Sequence, residues 1–186
     1  MSNRTLPTNE TSIETDIIHY QSFQNNVVEN AIIDFLLRHE FNFGVSLPCS
    51  KINKLISMLN RLQEFQFHSI SREEEGVGIC AGAYLAGKKP FMLIQSSGLG
   101  NSFNAIASLL ITYEIPILIL ASYRGYYKEK IYAQVPLGNA LPGMLESMKI
   151  PYIIIDSDFE KIEEFYKREF DGPHVVFLSP ELFENV

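Results

Sequence analysis

Short apolar and β-branched runs recur at residues 43–47, 65–70, 91–95, 117–121, 152–155 and 175–178, each long enough for a strand and too short for a helix. Between them, residues 26–39, 50–62, 73–86, 101–113, 139–149 and 159–169 carry apolar side chains at helical spacing. Strand and helix therefore alternate. Phe91-Met92-Leu93-Ile94 and Ile117-Leu118-Ile119-Leu120 have no polar residue at alternate positions, so both faces of those strands must be covered. This predicts a doubly wound α/β domain: a six-stranded, mostly parallel sheet with helices on both faces. Pro90, Pro116 and Pro151 stand just before three of the runs, where a missing N–H is tolerated, and mark returns from helix to strand. Residues 124–136 make the longest connection without a period, and long connections in compact domains are often lids or interface loops.

Composition narrows the class. The 186 residues are 46% hydrophobic and 20% charged, enough hydrocarbon for a sizeable core. With 15 Lys and Arg against 22 Asp and Glu, the net charge is −7, which argues against a nucleic-acid binder. Apolar stretches such as 115–121 fall well short of the ~20 residues of a membrane span, so no membrane association is expected. The first 16 residues are rich in Thr, Asn and Ser and lack the basic start and apolar segment of a secretory signal, which points to the cytoplasm. Residues 1–20 are expected to form a flexible tail or partner-binding arm, and residues 21–186 a single domain. Cys49 and Cys80 are too few for a disulfide framework or a metal knuckle.

In an open α/β sheet, ligands sit beyond the carboxyl ends of the strands. The residues just past those ends are Pro48-Cys49-Ser50, Ser71-Arg72-Glu73, Ser96-Ser97-Gly98-Leu99-Gly100-Asn101 and Ser122-Tyr123-Arg124-Gly125. The glycine segment admits two readings, an anion cradle at a helix start or a tight strand-to-helix turn. It lacks the Lys-Ser/Thr of a phosphate loop, and it follows the third strand where a dinucleotide fingerprint follows the first. Glu73, Glu74 and Glu75 suit a helix start, where carboxylates meet the positive end of the macrodipole, and spacing alone singles out none of them. His68 reads as a core or rim histidine. His19, His39 and His174 have no serine or carboxylate at triad spacing, and no metal site is predicted. The charged run 160–169 is a solvated helix face.

Taken together, Leu47-Pro48-Cys49-Ser50, the run from Arg72 to Gly82, Gln95 to Asn101 and Ser122 to Gly125 resemble the pyrimidine-binding domain of thiamine-diphosphate decarboxylases. The likeness runs from the first helix to the last strand, with the motifs in the family's order. Within the family it is strongest to sulfopyruvate decarboxylase alpha subunits, with phosphonopyruvate decarboxylases next. The resemblance implies the thiamine-diphosphate-binding fold of pyrimidine-domain type and one indispensable carboxylate that contacts a ring nitrogen of the cofactor's aminopyrimidine. That carboxylate falls on Glu73, nine residues before Gly82. Pro48, Ser97, Gly98, Leu99, Gly100 and Asn101 are implied to border the same aminopyrimidine end, with Gly98 and Gly100 letting a ring approach a backbone that lacks Cβ. Arg124, Ser50 and Lys128, with Lys130 behind them, are implied to draw a small anionic 2-oxo acid to an otherwise acidic protein. Arg124 fits a salt bridge equally well.

Members of this family hold the diphosphate through a bivalent metal, using Gly-Asp-Gly and downstream paired Asn in a second domain. This sequence has no Gly-Asp-Gly, and its only Asn-Asn is Asn25-Asn26. The resemblance therefore implies magnesium on a separate beta subunit that carries the diphosphate site, and a homodimeric core within a hetero-oligomer. The implied reaction converts 3-sulfopyruvate to sulfoacetaldehyde and carbon dioxide, as in coenzyme M biosynthesis, with phosphonopyruvate the alternative acid. Cys49 after Pro48 and residues 131–136 lean toward the sulfonate. Ser96 and Tyr123 depart from the family's usual Asn and His or Trp. The reading from another class is a non-catalytic flavodoxin-like partner-binding module. A phosphate-accepting version of it would need paired acids where this chain has Ser46-Leu47-Pro48.

Overall fold

The computed structural model describes residues 26–183, so the expected tail, residues 1–20, lies outside them. Strands β1 (Phe43–Ser46), β2 (Gln66–Ser69), β3 (Pro90–Gln95), β4 (Leu118–Ser122), β5 (Tyr152–Ile155) and β6 (His174–Leu178) form one sheet in the order β2-β1-β3-β4-β6-β5. Every neighbouring pair is parallel, so the sheet is wholly rather than mostly parallel. The helices are α1 (Val27–Arg38), α2 (Asn53–Leu59), α3 (Glu73–Leu85), α4 (Ser96–Ala105), α5 (Val135–Ser147) and α6 (Glu160–Tyr166).

The uninterrupted apolar strands are buried from both sides. Phe91 and Leu93 of β3, Leu118 and Leu120 of β4 and Val176 of β6 pack with Ile32, Phe35 and Leu36 of α1, Leu55 and Leu59 of α2 and Phe165 of α6. Their alternates Met92, Ile94, Ile119, Val175 and Phe177 pack with Val77 and Cys80 of α3, Leu99 and Phe103 of α4 and Leu141 and Leu145 of α5. The edge strand β2 buries little: Gln66, His68 and Ser69 are exposed, while Phe65 and Ile70 at its flanks are buried. His68 is accordingly a rim residue, its ring 5.4 Å from that of Phe43.

Several helix limits differ from the periodicity. The helix expected from residue 101 begins at Ser96, directly after β3, and widens into a π-helix at Ile106–Ile111. The helix expected from residue 139 begins at Val135, with Pro136 in its first turn, where the missing N–H costs nothing. Pro142 then sits inside α5 and cannot donate to the carbonyl of Gly138, four residues earlier. The Tyr123 hydroxyl donates to that carbonyl instead, at 3.1 Å. The stretches 50–62 and 159–169 shorten to Asn53–Leu59 and Glu160–Tyr166.

From β1 the chain passes outward to β2 and then returns across β1 to β3. The strand order therefore reverses between β1 and β3. The carboxyl ends there open a crevice between the residues after Ser46 and those after Gln95.

Candidate active site

Helix α3 starts at Glu73 after an extended Arg72, and its three successive carboxylates go to three different places. Glu74 pairs with Arg72 at 2.7 Å. Glu75 reaches back to accept the Ser71 N–H at 3.1 Å. Glu73 turns inward, only 8% exposed, and lies on the Cα of Gly98. A Cβ at position 98 would stand 2.1 Å from Glu73 Oε1 and 2.3 Å from its Cδ. Among the described residues, the Glu73 carboxylate makes no hydrogen bond or ion pair.

The segment from Ser96 to Asn101 is the opening of α4, so strand passes into helix with no intervening loop. A Cβ at Gly98 would run into the Glu73 side chain, so the bare glycine is what lets that carboxyl sit here. Gly100 is likewise taken up by the protein: a Cβ there would meet Leu137 Cδ2 at 2.8 Å, so its bare face seats α5 on α4. Leu99 is fully buried in the core and presents no side chain to a ligand. Ser97 is half-buried with its hydroxyl bonded to the Gln95 side chain, Asn101 is exposed on α4, and Pro48 is exposed after β1.

A second cluster forms at the end of β4. The Arg124 N–H donates to Ser96 Oγ at 2.8 Å, tying the end of β4 to the residue after β3. The Arg124 guanidinium is nearly buried and forks onto Glu129, Nε to Oε2 at 2.7 Å and Nη2 to Oε1 at 3.0 Å. Of its two sequence readings, the salt bridge is present. Glu129 also accepts the N–H groups of Gly125 at 3.1 Å and Ile131 at 3.0 Å. The Arg124 hydrogen bond, helped by those two N–H groups, holds the Glu129 carboxyl down at about 2 against the opposing effect of burial. Gly125 makes the turn possible: its φ is +73°, and a Cβ there would lie 2.1 Å from the Gln134 carbonyl oxygen.

Cys49, buried after β1, has its Sγ 3.4 Å from Ser122 Oγ and borders the Arg124 guanidinium. Ser50 and Lys128 are exposed, and the Lys128 ammonium lies 4.6 Å over the Tyr127 ring. Tyr123 is buried between Phe177 and Tyr126, with ring centroids at 4.4 and 4.6 Å, so it packs as well as bonds. Spacing did not reveal Glu129, because an alternating Lys/Glu run looks solvated; the adjacent Arg-Gly turn was its one available signal. A cavity of about 590 Å³ lined by His39, Lys89, Tyr166 and His174 lies at the opposite, amino end of the sheet.

Residues 26–150 match the family described as thiamine pyrophosphate enzyme, N-terminal TPP binding domain. The chain belongs to that family. It is 45% identical over 161 residues to the sulfopyruvate decarboxylase of Methanosarcina acetivorans, a match covering 84% of this chain and 41% of that protein. It is 47% identical over 122 residues to the sulfopyruvate decarboxylase subunit alpha of Methanococcus maripaludis, covering 66% of this chain and 73% of that subunit. The phosphonopyruvate decarboxylase of Streptomyces viridochromogenes is 32% identical over 99 residues, covering 53% of this chain and 25% of that enzyme. The chain thus spans about two fifths of the Methanosarcina protein. Among solved structures, benzoylformate decarboxylase from Polynucleobacter necessarius aligns with a TM-score of 0.65 at 16% identity, over 86% of this chain and 31% of that one, which shows the fold.

Membership of the thiamine pyrophosphate enzyme family implies thiamine diphosphate. A buried carboxylate with no partner among the described residues, seated on a glycine at the carboxyl end of the sheet, fits a group that brings a ring nitrogen to it. No grouping of three or more His, Cys, Asp or Glu among the described residues could hold a metal ion. No described helix is long and apolar enough to cross a membrane.

Proposed function

We propose that this chain is the alpha subunit of a cytoplasmic, thiamine-diphosphate-dependent 2-oxo acid decarboxylase acting on 3-sulfopyruvate in coenzyme M biosynthesis. It works against a separate beta subunit that carries the diphosphate and magnesium site, around a homodimeric core. The observation that carries the reading is Glu73: alone among three adjacent acids it is buried, held on Gly98 and without a partner among the described residues. Identities of 45–47% to sulfopyruvate decarboxylases support the choice of acid over phosphonopyruvate.

In the reaction the bond between the carboxylate and the carbonyl carbon breaks, carbon dioxide leaves, and the carbon left behind takes a proton to give sulfoacetaldehyde. Bound thiamine diphosphate supplies the electron sink for that step. Glu73 would hold a proton at its carboxyl oxygens for exchange with a ring nitrogen of the bound group. Gly98 keeps that carboxyl in place. Ser97, Asn101 and Pro48 border the same rim, while Arg124, with Ser50 and Lys128 nearer the surface, draws the anionic acid.

The test is release of carbon dioxide from 3-sulfopyruvate and from phosphonopyruvate, with and without the beta subunit, in the presence of thiamine diphosphate and magnesium. Turnover only in the mixture, faster with 3-sulfopyruvate, is expected. Turnover by this chain alone, or a preference for the phosphonate, would contradict the reading.

A further inference from the structure

The buried ion pair at the end of β4 does more than its stability justifies. Two charges taken out of water recover little net free energy even in good geometry, so stability alone is a weak account of this pair. Here the orientation is set with unusual completeness. Each Glu129 oxygen accepts one guanidinium donor and one backbone N–H, Oε2 from Arg124 Nε and Gly125, Oε1 from Arg124 Nη2 and Ile131. The carboxylate is therefore fixed by the backbone, and it in turn fixes one edge of the guanidinium. The Arg124 backbone is anchored independently: its N–H donates to Ser96 Oγ, and its carbonyl packs so close to Gly138 that a Cβ there would stand 2.4 Å away.

The pair sits where this matters. Ser96 is two residues before Gly98, on which the Glu73 carboxyl lies, and Cys49, beside the crevice at the end of β1, borders the same guanidinium. A planar fork discriminates among anions only if its plane is held, since a freely turning arginine accepts any negative charge. We infer that Glu129 is a positioning residue for substrate recognition: it locks Arg124 so that the guanidinium donors not bonded to Glu129 select the second, tetrahedral anionic group of a dianionic 2-oxo acid over a monoanionic one. The inference rests on the reading of Arg124 as a substrate contact.

The experiment uses the complete two-chain enzyme and compares 3-sulfopyruvate with pyruvate for the wild type, Glu129→Gln, Arg124→Ala and the double variant. Glu129→Gln is expected to raise KM for 3-sulfopyruvate about tenfold, to change kcat far less, and to leave the poorer pyruvate kinetics nearly unchanged. The double variant should match Arg124→Ala alone, because Glu129 acts only through Arg124. Should Glu129→Gln fail to fold, Glu129→Asp keeps the charge, shortens the reach and is expected to give the same rise in KM. An unchanged KM for 3-sulfopyruvate in a folded Glu129 variant, or equal losses with both acids, would overturn the inference. If Arg124→Ala leaves that KM unchanged, the contact itself fails, and the role of Glu129 fails with it. Absence of 3-sulfopyruvate turnover in the wild type would instead remove the functional reading on which both rest.

Discussion

Gly98→Ala should disable the site without unfolding the chain. The added Cβ would stand 2.1 Å from Glu73 Oε1 and 2.3 Å from both Cδ and Cγ, so the clash falls on a side chain and not on the backbone. Non-bonded heavy atoms settle at ~3.5–4.0 Å, so the carboxyl group must retreat by roughly 1.4 Å or more. A displacement of about 1 Å costs on the order of 10²-fold in rate, and a positioned acid or base contributes about 10²–10⁴-fold. The expected loss is therefore at least about 10²-fold in kcat/KM, or ~2.7 kcal/mol of transition-state stabilisation. Stability should move much less. Alanine in a helix gains about 0.5–1 kcal/mol over glycine, which partly offsets an overpacking cost of ~1–3 kcal/mol. The assay is the initial rate of carbon dioxide release by the assembled enzyme, with a thermal melt of the same preparation. A folded Gly98→Ala enzyme retaining more than about a third of the wild-type rate would refute the argument, since the predicted factor is on the order of 10².

Other expectations follow from single contacts. Tyr123→Phe leaves the Gly138 carbonyl without a donor, because Pro142 has none to offer, and should cost about 1–3 kcal/mol in urea unfolding; a change under about 0.5 kcal/mol would contradict it. Phe91, fully buried and touched at right angles by Phe41 and Phe65, should cost about 3–5 kcal/mol when replaced by Ala, measured the same way. Burial, with Lys89 nearby, pushes His174 down from 6.5 to about 4, so the unfolded chain binds more protons between those values and stability should fall as pH drops from 6.5 toward 4. His174→Phe should flatten that part of a melting-temperature profile, and an unchanged slope would count against the neutral buried histidine. Glu129, held at about 2 by Arg124, acts in the next window: its contribution is complete above pH 4.5 and lost as pH falls through 2, and Glu129→Gln should remove it.

The layered sheet was legible because both faces of its central strands are buried, which leaves a run such as Phe91-Met92-Leu93-Ile94 without a polar position. The proline punctuation was legible for the same local reason: Pro90 opens β3 and Pro151 immediately precedes β5. Helix starts were less so. Serine and glycine at 96–101 favour a turn by local preference, yet the segment is helical. Gly98 is there because Glu73 needs the space, and the Ser102 hydroxyl bonds back to the Gly98 carbonyl. Such reasons are tertiary, and no local window contains them. Pro136, Gly138 and Pro142 likewise conceal the first turns of α5, whose missing hydrogen bond is supplied from β4's end by Tyr123. Glu73 was legible only through the resemblance of several segments taken together. What sets it apart from Glu74 and Glu75 is burial against a residue 25 positions away, which spacing cannot express.

The central claim is that the Glu73 carboxyl is the group this chain contributes to catalysis. It is tested most directly by Glu73→Gln in the assembled enzyme, with 3-sulfopyruvate turnover and subunit assembly measured on the same preparation. The account predicts a complex that assembles like the wild type and releases no measurable carbon dioxide. A Glu73→Gln complex that retains most of the wild-type rate would contradict it.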